Sequence, residues 1–395
     1  MKRWRLLAGI AVQSVARSSR IPNDVTLPFS KQFSSIITPP PISLPEYDQT
    51  IFTSLIQASD RMIPRSIPQI DKIELKGAIT PQEQHHPTPG LTGQAQSIAF
   101  DKEMLDLTEK PWELGLEATV SKSGGAKRVV RFTFAAGPRS NTALLEIRRH
   151  IGQIAAWSYR IEFNPRKCGT SGLRKIMRVM SGALIGFDPE KLLGNAYVTG
   201  LDIAVDLIGV APQDLVVRMP KAGKTTSVRD QTGRLETAYF YGAKPVPTAP
   251  PKKAGYKTTG PLRLRLYDRV ALKLANAKPA PYGDIAITRV ERTHRWTKNA
   301  PSLGSISKIK NPWLGYAIQF VGDLPHAETP AFQRQLAAWR GYGMAADSLG
   351  WPELSGLKML NLFPSPLVDG AIWTGWPQGI AASGLQKWID LSTGT

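Results

Sequence analysis

Cysteine is almost absent, with Cys168 the only one in 395 residues. No disulfide and no cysteine-rich zinc site can form within one chain, and this usage fits a reducing compartment. Cys168 lies in the basic stretch Asn164-Pro165-Arg166-Lys167-Cys168-Gly169 with no catalytic partners in pattern around it, so it is expected to be inert. Histidine is also scarce, five in all. Only His85 and His86 are clustered, and they sit in a polar, Pro-rich loop. No apolar run approaches the ~20 residues of a membrane span. The start, Met1-Lys2-Arg3-Trp4-Arg5 then Leu6 to Val12, imitates a secretory leader. Its apolar run is short and more arginines follow, so a flexible basic arm, or residues upstream of the true start, is expected instead. Acidic residues are outnumbered 31 to 50, which gives a formal charge of +19. That excess points to a polyanionic partner, nucleic acid first.

Hydrophobic residues make up 42% of the chain, enough for a sizeable core. Residues 1–65 read as a loosely ordered basic and Pro-containing segment. Residues 66–300 read as an α+β domain, largely an antiparallel sheet with packed helices, and 301–395 as a helical C-terminal region. Period-2 runs predict strands at Ile70–Ala78, Ser97–Leu105, Tyr159–Phe163, Tyr197–Val210, Leu235–Tyr241, Leu262–Asp268 and Ile285–Arg295. A hairpin is expected from Leu116–Ser121 and Arg128–Ala135. Helical spacing predicts helices at Asn141–Trp157, Leu173–Leu184, Pro330–Arg340, Glu353–Leu360 and Gly379–Leu391. A Pro- and Lys-rich loop spans Ala243–Gly260. Trp339, Trp351, Trp373, Trp376 and Trp388 are expected to pack.

Three strands carry polar residues on one face. In Thr199–Leu207, the residues Leu201, Ile203, Val205 and Leu207 face one way, and Gly200, Asp202, Ala204 and Asp206 the other. Two carboxylates among small residues suit an ion or a basic partner, or else a solvated sheet face. In Leu262–Arg269 the leucines share one face with Asp268, and Arg263, Arg265, Tyr267 and Arg269 share the other. A tyrosine among guanidinium groups suits phosphate chemistry, although Arg and Tyr also simply cover sheets. In Ile287–Arg295 one face holds Arg289, Glu291, Thr293 and Arg295, a pattern that is also common for a structural ion pair. Asp202 and Asp206 stand roughly 13 Å apart along their strand, which disfavours a shared two-metal site. One Mg²⁺ or Mn²⁺ held by one of them with an acid from another strand is easier.

The order of these motifs resembles the Rep trans type of rolling-circle replication initiators of plasmids and filamentous phages. The matching stretches are Gly200-Leu201-Asp202-Ile203-Ala204-Val205-Asp206, Thr237-Ala238-Tyr239-Phe240-Tyr241-Gly242, Leu266-Tyr267-Asp268-Arg269 and Arg289-Val290-Glu291-Arg292. The likeness covers roughly residues 95–300, and its specificity lies in the order of short motifs. Gly200 stands where the family carries arginine, and Arg269 where it carries lysine. The resemblance implies a metal-dependent nicking and strand-transfer endonuclease. Tyr267 would attack origin DNA, single-stranded at the nick, to give a 5′-phosphotyrosine and a free 3′-OH. It implies Asp202 and Glu291 as ligands of Mg²⁺ or Mn²⁺, with Asp206 and Asp268 in reserve. Arg263, Arg265, Arg269, Arg289, Arg292 and Arg295 would contact phosphate. A homodimer, a host helicase and the bacterial cytoplasm complete the expectation, with no stable membrane association. The main rival is a non-catalytic, sequence-specific DNA-binding protein. A His-hydrophobic-His relaxase lacks its histidine pair here, and a membrane-associated phage assembly factor rests only on the first residues.

Overall fold

The computed structural model describes residues 52–58, 61–80, 93–123, 129–136, 142–150, 157–184, 186–219, 222–229, 235–242, 262–275, 285–296, 298–320 and 366–393. The helices expected at Pro330–Arg340 and Glu353–Leu360 lie outside these residues, as do residues 1–51, His85, His86, Trp339, Trp351 and the Ala243–Gly260 loop. The class is α+β, with a mostly antiparallel sheet. Its strands are β1 (Phe52–Ala58), β2 (Arg61–Ser66), β3 (Gln69–Ile79), β4 (Thr119–Ser123), β5 (Val129–Ala135) and β6 (Thr142–Arg149), followed by β7 (Trp157–Phe163) and β8 (Tyr197–Ile208). Then come β9 (Leu215–Arg218), β10 (Ala222–Arg229), β11 (Leu235–Gly242), β12 (Leu262–Asp268), β13 (Ile287–Arg295) and β14 (Ala317–Phe320). Ten strands run in the order β10-β11-β12-β13-β8-β3-β7-β6-β5-β4, with the β1–β2 hairpin joined at β8 and β9–β14 forming a separate pair.

The helices are α1 (Gly93–Glu109), α2 (Pro165–Ala183), α3 (Pro189–Gly194), α4 (Arg269–Ala275), α5 (Trp376–Ala382) and α6 (Gln386–Thr393). One sheet face is apolar because alternation places Ile73, Leu75, Ile161, Phe163, Leu201, Ile203, Val290, Leu264 and Leu266 on it, all buried. Each such side chain contributes about 1.5–3 kcal/mol on burial. The Tyr159 hydroxyl donates to the Leu192 carbonyl of α3, and Trp388 of α6 meets Phe163 edge-on at 5.5 Å. Helices from both halves of the chain thus cover the same core, and the C-terminal helices share it with the strands. Among the described residues no helix is long and apolar enough to cross a membrane.

Four sequence expectations change. Ser97–Leu105 is helical: Phe100, Met104 and Thr108 recur every four residues and are buried along α1. Thr142–Arg149 is a strand, β6, paired on both sides by β5 and β7. Its leucines and isoleucine fit helical spacing too, but Ala143, Leu145 and Ile147 form a period-2 buried row, and tertiary pairing overrides the local pattern. The segment before Ser66 is not all loose, since β1 and β2 pair in register. The last helix is two, because Gly384 takes φ +73° between α5 and α6.

A Cβ on Gly379 of α5 would stand 1.8 Å from the Pro68 carbonyl oxygen. That oxygen belongs to the backbone leading into β3 and cannot swing aside. Gly379→Ala is expected to cost about 1–3 kcal/mol by overpacking, read as a lower urea midpoint. An unchanged midpoint would show that α5 is not seated on this connection.

Candidate functional site

The second face of the sheet is polar for the reason the first is apolar. Alternation in β8, β12 and β13 sends their charged residues to one side, and pairing stacks them in rows. Tyr267 lies opposite Arg289, and Arg289 opposite Asp206. One row on, Arg265 lies opposite Glu291, and Glu291 opposite Ala204. Further along, Thr293 lies opposite Asp202 and Arg295 opposite Gly200.

The first row is a closed ion-pair network. Arg289 donates from Nε and Nη2 to the two oxygens of Asp206 at 2.7 and 2.8 Å. Its Nη1 donates to Asp71 at 2.7 Å. Arg269 donates to Asp206 at 2.6 Å, and Asn164 donates to Asp71 at 3.2 Å. Arg289 and Asp206 are only 4% and 2% exposed. Burial penalises the Asp206 carboxylate, but Arg289 and Arg269 overcome it and hold its pKa well below the ordinary range. Guanidinium groups thus occupy Asp206, which corrects its reserve role as a metal ligand. Asp268 is committed as well, accepting from the Val270 and Ala271 amides at 2.9 and 3.0 Å at the start of α4.

Tyr267 is 6% exposed. Burial raises the pKa of its phenol, and the Arg289 charge opposes that rise. Arg265 stacks over the Tyr267 ring at 4.3 Å and faces the Tyr239 ring at 5.6 Å. Its Nε is buried without a hydrogen-bond partner; among the described residues Arg265 makes no ion pair, although its charge acts on Glu291 opposite it. Glu291 is diagonal to Tyr267 across β12–β13. Its pKa is pushed up to about 7, first by burial and then by the charges of Asp71 and Asp202. No ion pair or hydrogen bond holds the Glu291 carboxyl among the described residues.

Asp202 is farther from Tyr267, roughly 10 Å across two strand spacings and roughly 13 Å along them. Burial raises its pKa, and Arg295 opposes this through a bond of 3.0 Å. A Cβ at Gly200 would sit 2.7 Å from Arg295 Nη1. The guanidinium of Arg295 therefore occupies the space left by the glycine. Arg263 is half-buried on the polar face. Arg292 is on the opposite, core side. It donates to the Pro312 and Arg263 carbonyls at 3.2 and 3.1 Å and lies over Tyr316 at 4.7 Å. A phosphate-binding role for Arg292 does not fit that placement.

Sequence reasoning missed Asp71. It sits where the β3–β8 register shifts between Ile70 and Lys72, and a bulge of this kind re-aims a side chain. It also missed Arg166, which reaches from α2 to Gln69 and adds positive charge near Asp206. The only sequence signal was Asn164-Pro165, which ends β7 and caps α2. Cys168 is buried, and its thiol is pushed up to about 11.

For a divalent cation, Asp202 and Glu291 supply hard carboxylate oxygens on adjacent strands. The Glu291 carboxylate is penalised first by burial and then by the charges of Asp71 and Asp202, with Arg265 and Arg289 opposing. Among the described residues no cluster of three or more His, Cys, Asp or Glu has metal-holding geometry. No family model matches the chain, and no curated protein matches it.

A carboxyl in an unfolded chain loses its proton near pH 4, whereas Glu291 keeps its own to about 7. Between these values the folded state binds the extra proton, so this group's contribution falls as pH rises. Glu291→Gln is expected to be more stable than wild type at pH 8, by up to about 3 kcal/mol, and equal to it below pH 4. Metal-free urea titrations at both pH values read this directly. Equal stability at pH 8 would place Glu291 in an ordinary solvated setting.

Proposed function

We propose that the chain is a rolling-circle replication initiator that nicks and rejoins single-stranded origin DNA through Tyr267. The observation that carries this reading is the pairing of a buried tyrosine with Arg265, a guanidinium stacked on its ring whose Nε has no hydrogen-bond partner and which makes no ion pair among the described residues. Phosphodiester attack needs a phenolate and a cation for the extra negative charge on phosphate. Burial and the charges of Asp71, Glu291 and Asp206 favour the phenol, the Arg289 charge opposes them, and Arg265 lies on the ring as the cation for the phosphate.

In the proposed step the Tyr267 proton passes to water and Oη bonds to phosphorus. The bond from phosphorus to O3′ breaks, and O3′ takes a proton from water. The products are a 5′-phosphotyrosine and a 3′-OH, and attack by a 3′-OH on the same phosphorus reverses the link. Asp202 and Glu291 are the residues that would hold Mg²⁺ or Mn²⁺. When bound, the ion would supply Lewis-acid polarisation of the scissile phosphate. The charge of +19 supports a DNA partner, and the bacterial cytoplasm is the compartment in which that partner resides.

Non-catalytic DNA binding is the second reading, and it is favoured by the 6% exposure of Tyr267. Incubation with labelled single-stranded cognate DNA and Mn²⁺ separates the two. A covalent adduct that survives denaturation is expected from wild type and is expected to be lost in Tyr267→Phe. Retention of Arg265→Ala at the wild-type rate would remove Arg265 from the chemistry. A wild type that binds the DNA without forming an adduct supports the second reading.

A further inference from the structure

We propose that the polar sheet face ends in a base-stacking subsite built around Tyr197, which takes an unpaired base of single-stranded DNA. This rests on the DNA reading above and adds to it a place for the strand that flanks the nick. Tyr197 is 54% exposed and is the only exposed aromatic side chain among the described residues. Strict alternation from Leu201 would bury it. The β3–β8 register instead shifts between Glu74 and Leu75, so Val198 pairs with Leu75 in the core and Tyr197 pairs with Lys76 on the polar face. Bulges re-aim side chains in this way.

The ring borders a depression of about 590 Å³ that also includes Lys76, Thr80, His150, Ser158 and Asn299. That is room for a base, with hydroxyl and amide groups at its edges. Lys76 is exposed and makes no ion pair among the described residues. Nearby on this face Lys72 is matched by Glu162 and Arg160 by Glu74. A free ammonium beside a free aromatic ring is the pairing by which proteins hold single strands: the cation tracks the backbone and the ring stacks a base. Duplex DNA keeps its bases stacked on each other and offers none to Tyr197. Along β8 the subsite stands nine residues from the Asp206 row, roughly 30 Å, a span that several nucleotides would bridge.

The test uses the full chain and two DNAs, a fluorescein-labelled dT20 and the same oligonucleotide carrying 5-iododeoxyuridine. Tyr197→Ala is expected to weaken dT20 binding about 5- to 100-fold, while Tyr197→Phe stays within about twofold because the stacking face is kept. Irradiation of the iodo-DNA with wild type is expected to crosslink Tyr197, read by peptide mass spectrometry. Wild-type affinity in Tyr197→Ala, or crosslinks that fall only elsewhere, would overturn the subsite. Adduct formation at Tyr267 is scored in parallel with the labelled single-stranded cognate DNA and Mn²⁺, using the same protein preparations. No adduct on the cognate DNA, with the Tyr197 effect on dT20 intact, sinks the nicking reading alone. An adduct with no Tyr197 effect sinks the subsite alone.

Discussion

The buried pair between Arg289 and Asp206 is the contact on which the polar face depends. It joins β13 to β8 through two hydrogen bonds at 2.7 and 2.8 Å, with Asp71 and Arg269 completing the shell. Removing one partner of such a pair leaves an uncompensated charge and typically costs about 3–5 kcal/mol. The pair is therefore a weak source of net stability and a strong source of register. With Arg289 fixed opposite Asp206, Tyr267 is fixed opposite Arg289, and Arg265 and Glu291 fall into the next row.

This division of labour explains why the arginines are not equivalent. Arg289 and Arg269 neutralise Asp206, Arg295 answers Asp202, and Arg292 supports the core side. Arg265 alone lies on the tyrosine with its Nε unsatisfied. The acids divide in the same way. Asp206 is saturated, Asp268 caps a helix, and the Glu291 carboxyl is pushed up to about 7, first by burial and then by the charges of Asp71 and Asp202.

The strands that carry the site were legible because alternation is strict in β12, in β13 and in β8 from Gly200 onward, where leucine and valine rows mark the buried face. Asp71 and Tyr197 were hidden for a single reason: register shifts in β3–β8 break the period on which such reading relies. The segment at Thr142–Arg149 misled because its apolar residues satisfy both a helical and a strand period, and only the neighbours β5 and β7 decide between them. The buried row Phe100, Met104 and Thr108 was present in the sequence of α1, but the local run around it also suits a strand. No sequence pattern foretold that the helices after residue 366 would share the core of the sheet.

The central claim is chemical, that the tyrosine of β12 becomes bonded to DNA phosphorus. Mass spectrometry of the trypsin-digested, nuclease-trimmed protein–DNA adduct tests it most directly. The residual phosphonucleotide is expected on the tetrapeptide Leu266-Tyr267-Asp268-Arg269, which trypsin releases between Arg265 and Val270. A nucleotide on the peptide carrying Tyr239, or on any other residue, would contradict the account.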